Sequence, residues 1–196
     1  MQSLETKPLL LDVRSITLRV VTHQEFQKLC QDNLDLRLEL TKDGQLVTMA
    51  PAGWASSNRN SKLTSRVDVW NERTLLGEVF DSSGGFTLPN GAVRSPDVTW
   101  ISQSKLEGIT DHIAFPEVVP DFVIELRSKI DSLKTLREKM EEYRSNGVRL
   151  GLLIDPQNQR VEIYRPGQNP VIYESPTSID CGDVMPGFIL DMSKIW

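Results

Sequence analysis

Residues 122–126, with the sequence FVIEL, constrain the fold of this chain more than any other segment. A nearly continuous apolar run of this length is typical of a strand that is covered on both faces. A helical pattern follows over residues 132–145, Gly147 stands where that helix would stop, and residues 150–154 (LGLLI) form a second apolar run. This order predicts a β–α–β crossover between two strands of an α/β domain.

Patterns on either side of the crossover predict further strands and helices. Residues 36–40 alternate apolar and polar side chains, Asp43-Gly44 supplies a turn and residues 46–49 return, which together predict a β-hairpin. Residues 57–76 carry apolar side chains at helical spacing and predict a long helix. Shorter patterns predict a capped helix at 22–30, a β meander with strands at 77–80, 86–88, 92–94 and 97–101, and a strand at 161–164. The predicted fold class is α/β, with an N-terminal β-hairpin.

The size and composition of the chain are those of an ordinary globular protein. With 196 residues, 39% of them hydrophobic and 25% charged, we expect one domain over residues 1–196, in which residues 1–20 are an N-terminal extension. Apolar runs are far shorter than the roughly 20 residues needed to span a bilayer, so no membrane role is expected. Cys30 and Cys181 lack the spacing of a zinc site, which favours a reduced protein in the cytoplasm.

The net charge of −5 argues against a protein that coats DNA, because non-specific binding to a polyanion depends on lysine and arginine. It argues less against a nuclease, since a site built from carboxylates is acidic until a divalent metal enters it. Arg59, Lys62 and Arg66 fall on one face of the predicted long helix, and this face either contacts a DNA backbone or is simply solvated. His23 and His112 have no spacing that indicates a metal site or a catalytic dyad.

Glu125 lies within the apolar run 122–126, where an unpaired carboxylate would lose several kcal/mol of hydration. It therefore needs a partner. One interpretation is an ion pair with Arg127 or another base; the other is a divalent metal, which takes oxygen ligands from more than one carboxylate. Asp97, at the start of a predicted strand, is the natural second ligand, and Lys139 lies beside the apolar stripe of the following helix. The three charged residues Asp97, Glu125 and Lys139 could converge on one edge of the sheet.

Several segments, in this order, carry a resemblance to a known family. They are RSPDV at 94–98, PDFVIELRS at 120–128, LREKM at 136–140 with Tyr143, GV at 147–148, and LIDP at 153–156. As an ordered set, these segments resemble the Uma2 family of putative restriction endonucleases, which belongs to the PD-(D/E)XK nuclease superfamily. The resemblance runs from about residue 23 to PGF at 186–188 and implies a restriction-endonuclease-like fold, a mixed central sheet flanked by helices.

The resemblance implies a role for five residues. Asp97 and Glu125 would match the two acids that bind Mg²⁺, with Mn²⁺ able to substitute, and Glu39 matches an acid that would complete the metal site. Arg127 stands at the usual lysine position, and Lys139 on the following helix would supply the lysine instead. Arginine can clamp a phosphate but is always protonated, so among the catalytic set of Asp97, Glu125, Lys139 and Arg127 we favour Lys139 as the residue that aligns or deprotonates water.

The activity implied by the resemblance is a magnesium-dependent endonuclease that hydrolyses DNA phosphodiester bonds with a metal-activated water and leaves a 5′-phosphate. A homodimer is expected, because cutting both strands usually calls for two sites related by symmetry. The alternative is a catalytically inactive module of nuclease fold that binds nucleic acid or a protein partner. In a third interpretation the carboxylates form ordinary ion pairs.

Overall fold

A computed structural model describes residues 21–110 and 114–196 of the chain, so the predicted extension at 1–20 and His112 lie outside the described residues. The elements in chain order are α1 (His23–Asp32), β1 (Arg37–Leu40), β2 (Leu46–Met49), α2 (Trp54–Thr74), β3 (Gly77–Asp81), β4 (Phe86–Thr87), β5 (Val93–Arg94), β6 (Val98–Ser102), α3 (Gln103–Leu106), β7 (Phe122–Leu126), α4 (Leu133–Ser145), β8 (Leu150–Asp155), β9 (Arg160–Tyr164), β10 (Val171–Glu174), β11 (Ser178–Asp180) and β12 (Ile189–Asp191).

The two apolar runs form the centre of a six-stranded sheet with the order β10-β9-β8-β7-β6-β3. Strands β7 and β8 are parallel, the other neighbours are antiparallel, and every residue of β7 and β8 is buried. Helix α4 connects β7 to β8. It begins after Ser132, whose side chain accepts the backbone N–H of Thr135, and Gly147 follows it at φ +98°. The predicted β–α–β crossover and the mixed sheet are confirmed.

A second, four-stranded sheet has the order β2-β1-β5-β4 and contains the predicted N-terminal hairpin. Helix α1 covers it and carries the expected capping box between Thr22 and Glu25. Phe26 of α1 is fully buried against Leu38 and Leu40 of β1. One face of β1 is therefore apolar, and the opposite face carries Glu39.

The predicted meander is wrong. Strand β3 pairs with β6, and β4 and β5 leave the central sheet to extend the hairpin sheet, where Val93 pairs with Leu40. The reason is burial: Val93 is 1% exposed within the apolar cluster that also contains Phe26 and Leu38. After β5, the chain returns to the central sheet at Asp97, immediately before β6.

Helices α2 and α4 lie on opposite faces of the central sheet. Leu63 and Val67 of α2 pack in the main core, which includes Ile124. Met140 of α4 packs in a separate cluster, together with Leu153 on β8. Because side chains alternate along a strand, Ile124 faces α2, whereas Val123 and Glu125 on either side of it face α4.

The basic residues on the predicted face of α2 contact residues 193–195 and stay partly exposed. Arg59 and Arg66 donate hydrogen bonds to the backbone oxygens of Ile195 and Ser193, and Lys62 lies 3.4 Å from the oxygen of Lys194. These contacts attach the last residues of the chain to the helix.

In the described ranges 21–110 and 114–196, no helix is both long enough and apolar enough to cross a membrane.

Replacing Gly77 at the start of β3 by alanine should destabilise the fold by about 1–3 kcal/mol, as overpacking does in other cores. A Cβ added there would lie 2.0 Å from the backbone oxygen of Ile101 and 2.9 Å from the Trp100 ring, so the strand would have to shift. Denaturant unfolding measures the change. Gly53→Ala is the matched control, since nothing lies within 4 Å of that position; equal stability losses in the two variants would contradict this explanation.

Candidate active site

Asp97 and Glu125 come together through the register of two neighbouring strands. Strand β6 runs antiparallel to β7 with Val98 opposite Ile124, and one further step places Asp97 opposite Glu125. Side chains directly opposite each other point to the same face, with Cβ atoms about 4.5–5.5 Å apart. The backbone N–H of Leu126 donates to Asp97 Oδ2 at 2.8 Å, which holds the aspartate beside β7. The structure thus pairs the two acids predicted from the sequence.

Lys139 reaches this pair from α4. Its Nζ lies 2.9 Å from Glu125 Oε1 and 2.9 Å from Glu39 Oε1, and its side chain is 15% exposed. One ammonium group therefore bridges a carboxylate of the hairpin sheet and a carboxylate of the central sheet. The predicted convergence of Asp97, Glu125 and Lys139 is present in the geometry.

Glu39 is held by protein donors at both oxygens. Its Oε1 accepts the Ser95 backbone N–H at 2.9 Å as well as the Lys139 ammonium, and its Oε2 accepts Arg94 Nη1 at 3.0 Å. Arg94 also donates to Glu142 on α4 at 2.6 Å. Because no oxygen of Glu39 is left over, its geometry favours positioning Lys139 and the segment before Asp97 over ligating a metal directly.

Tyr143 of α4 belongs to the same network, although it also packs among the apolar side chains between α4 and the central sheet. Its hydroxyl donates to Glu125 Oε1 at 2.8 Å, and the side chain is buried. The available signal was its spacing: Tyr143 follows Lys139 by four residues, so the two side chains lie on the same face of α4. Arg94, inside the RSPDV segment, is a second network residue that sequence reasoning left without a role.

Arg127 is directed away from the network. Its Nη1 pairs with Asp155 Oδ2 at 2.8 Å and its Nε donates to the backbone oxygen of Asp131. Asp155 lies on β8, on one side of β7, whereas Asp97 lies on the other side, next to β6. The structure does not bring Arg127 together with the other predicted site residues.

The electrostatics of the site reflect an excess of buried carboxylates. Burial, together with the nearby charges of Asp97 and Glu39, raises the pKa of Glu125 to about 7 despite the opposing effect of Lys139. Burial likewise raises the pKa of Asp97. Burial also disfavours the charged form of Glu39, but Lys139 and Arg94 outweigh it and lower the pKa of that residue.

Lys139 remains a cation in this environment. Burial alone would lower the pKa of its ammonium group, but the carboxylates of Glu125 and Glu39 raise it above the ordinary lysine value. A general base must give up its proton near neutral pH. The environment therefore favours Lys139 as a hydrogen-bond donor and a fixed positive charge.

The carboxylate oxygens at this site fit a magnesium ion held by two acidic side chains. Within the ranges 21–110 and 114–196, no cluster of three or more His, Cys, Asp or Glu side chains is arranged to hold a metal. Asp97 Oδ1 and Glu125 Oε2, however, make no hydrogen bond to the described residues, and Asp97 is partly exposed. Protein-bound Mg²⁺ commonly keeps several waters and takes only one or two carboxylates plus substrate phosphate.

Comparisons with known proteins show the fold and the family of the chain. The crystal structure of a putative nuclease belonging to DUF820, from Anabaena variabilis, matches with a TM-score of 0.76 and 21% identity, covering 89% of this chain and 97% of that chain. At this identity the match shows a shared fold. No curated protein matches the chain. The model of the Uma2 family, described as putative restriction endonuclease, matches residues 23–193, and because that range covers most of the chain, the protein belongs to the Uma2 family.

Proposed function

We propose that this protein is a magnesium-dependent endonuclease that hydrolyses phosphodiester bonds of DNA. The observation that carries the proposal is the pairing of Asp97 and Glu125 across β6 and β7, with the Lys139 ammonium 2.9 Å from Glu125. Two hard carboxylate ligands beside a fixed cation are the groups that hydrolysis of a phosphodiester needs. Membership of a family whose description is putative restriction endonuclease supports the same activity.

Asp97 and Glu125 would hold the ion through Oδ1 and Oε2, the oxygens that accept no hydrogen bond from residues 21–110 and 114–196. When bound, magnesium supplies a Lewis acid that polarises a phosphate oxygen and acidifies water. By holding the ion, the two carboxylates would also set the position of the reacting phosphate relative to the protein. Arg127 has no part in this proposal, because its guanidinium group is already paired with Asp155.

Lys139 orients the attacking water and stabilises the negative charge that develops on the phosphate. It acts as a donor and not as a base, since its neighbours Glu39 and Glu125 hold it in the protonated form. In the reaction, the water oxygen bonds to phosphorus as the bond from phosphorus to the 3′ oxygen breaks. The attacking water loses one proton to the solvent and the leaving 3′ oxygen takes up one from it, so the products carry a 5′-phosphate and a 3′-hydroxyl.

The proposal extends to assembly and location. Cutting both strands of a duplex calls for two active sites, which a symmetric homodimer supplies. We place the protein in the cytoplasm, where the free thiols of Cys30 and Cys181 would stay reduced.

Metal-dependent nicking of plasmid DNA tests the activity. After treatment with a chelator the protein should leave a supercoiled plasmid intact, and addition of Mg²⁺ or Mn²⁺ should convert the plasmid to open-circular and linear forms. Ca²⁺, which binds oxygen ligands with looser geometry, should support little cleavage. End-labelling of the products checks that the phosphate remains on the 5′ side.

The same assay separates the alternatives. DNA binding in a gel-shift experiment without nicking under either metal would favour the inactive nucleic-acid-binding module. Failure to bind metal, detected by calorimetry with Mn²⁺, would mean that the carboxylates serve only as ion pairs. Nicking that persists in excess chelator would contradict the proposal, because it would show a reaction that needs no divalent ion.

A further inference from the structure

The described residues donate hydrogen bonds to one of the two carboxylate oxygens of Glu125. Its Oε1 accepts hydrogen bonds from the Lys139 ammonium at 2.9 Å and from the Tyr143 hydroxyl at 2.8 Å. Its Oε2 has no hydrogen bond within the part of the chain that the structure describes. A carboxylate can rotate about its last side-chain bond, so two donors on the same oxygen define which oxygen remains available.

Tyr143 is firmly placed for this contact. The side chain is 1% exposed and packs with Met140, Val123 and Leu153 between α4 and the central sheet. A hydroxyl buried in such surroundings destabilises the fold if it lacks a partner, so the bond to Glu125 is an integral part of the packing. Since the ring is enclosed by its neighbours, the hydroxyl has little freedom to follow a carboxylate that turns away.

Asp97 shows the same asymmetry on the adjacent strand. The backbone N–H of Leu126 holds Oδ2 at 2.8 Å, and Oδ1 makes no hydrogen bond to the described residues. Each acid of the pair therefore has one oxygen held by the protein and one left over. The two occupied oxygens are bound by donors that belong to β7 and α4, the elements on which the site is built.

We infer that Tyr143 is a positioning residue that fixes Glu125 Oε1 and thereby presents Oε2 to the divalent ion. This inference rests on the proposed function. Lys139 supplies the charge at this oxygen, whereas Tyr143 supplies direction without charge, so the two donors make separable contributions. Residues that orient metal ligands typically change metal affinity 10- to 100-fold when they are removed.

The variant Tyr143→Phe removes the hydroxyl and keeps the ring. We expect its affinity for Mn²⁺, measured by calorimetry on metal-free protein, to fall about 10- to 100-fold. Nicking should be recovered by raising the Mn²⁺ concentration, with the rate at saturating metal close to that of the unmodified protein. The loss thus appears in the metal requirement and not in the maximal rate.

Tyr164→Phe is the matched control. The Tyr164 hydroxyl donates to Glu162 Oε2 at 2.8 Å. Tyr164 and Glu162 are buried, and Tyr164 packs in the same apolar cluster as Tyr143 but outside the candidate site. This variant loses an equivalent buried hydrogen bond, so its melting temperature should fall by a similar amount while its Mn²⁺ affinity stays unchanged. The dependence of melting temperature on Mn²⁺ provides a second measure of affinity that remains usable if Tyr143→Phe is less stable.

The outcomes are distinguishable. If the unmodified protein binds Mn²⁺ and nicks DNA but both tyrosine variants bind the ion equally well, the positioning role is overturned and the nuclease proposal stands. If the unmodified protein neither binds Mn²⁺ nor nicks DNA, the proposed function fails and the inference fails with it. Weaker binding confined to Tyr143→Phe supports both.

Discussion

Replacing Asp97 by asparagine should reduce the rate of metal-dependent nicking by on the order of a thousandfold. The amide oxygen of asparagine can still accept the backbone N–H of Leu126, which now binds Asp97 Oδ2, so the local structure should persist. What disappears is the negative charge that the ion requires on this side of the pair. The measurement is the initial rate of plasmid nicking at saturating Mg²⁺, with circular dichroism to confirm folding.

Asp183→Asn controls for the substitution itself. Asp183 pairs with Arg165 at 3.0 Å near the surface, and within the described ranges no hydrogen bond or ion pair joins it to the network around Glu125. Its replacement should leave nicking unchanged within about twofold, as expected for a surface position. A preparation in which Asp97→Asn cleaves as fast as this control would show that the observed nicking comes from elsewhere.

Replacing Lys139 by methionine should destabilise the metal-free protein by about 3 kcal/mol, near the lower end of the range for breaking a buried ion pair. Glu39 and Glu125 are 3% and 6% exposed in their side chains and share the Lys139 ammonium, so its removal leaves two buried carboxylates without their common cation. The loss is limited because Glu125, whose pKa is already about 7, can take up a proton. Melting curves should show a fall of about 6–12 °C for a domain of this size.

The size of this loss should depend on pH and on metal. The folded-state pKa of Glu125 lies above its ordinary value of 4.5, so its protonation favours the folded state at low pH and this contribution disappears as the pH rises through about 7. Because Lys139 lowers the pKa of Glu125, that pKa is higher still in Lys139→Met, and the stability deficit of the variant should grow as the pH rises above about 7. Mn²⁺ should recover part of it, because a bound cation replaces the missing charge.

Lys105→Met is the comparison for this variant. Lys105 Nζ lies 2.9 Å from the buried carboxylate of Asp121, so it also loses a cation beside a buried acid, and Asp121 lies outside the network of Glu125. Its stability should fall without any recovery in Mn²⁺. Identical metal responses in the two lysine variants would contradict a cation site at Glu125.

Local patterns predicted the elements that carry the site. The apolar runs of β7 and β8, the stripe of α4 and the capping box of α1 are all encoded by residues close together in the chain, and the structure confirms each of them. The prediction of a β meander was wrong because strand pairing depends on residues that are distant in the chain. Whether a short strand pairs with β6 or with β1 depends on which partner buries its side chains, and in this chain that partner is the distant Leu40.

The sequence alone predicted that Asp97, Glu125 and Lys139 converge, because an acid inside an apolar strand needs partners and the ordered family motifs indicated which residues they are. Only the tertiary structure decided that Tyr143 and Arg94 join the network and that Arg127 turns to Asp155. Hydrogen bonds of this kind depend on the register and spacing of separate elements to within a fraction of an ångström. Such distances follow from packing across the whole domain, and no local pattern of residues contains them.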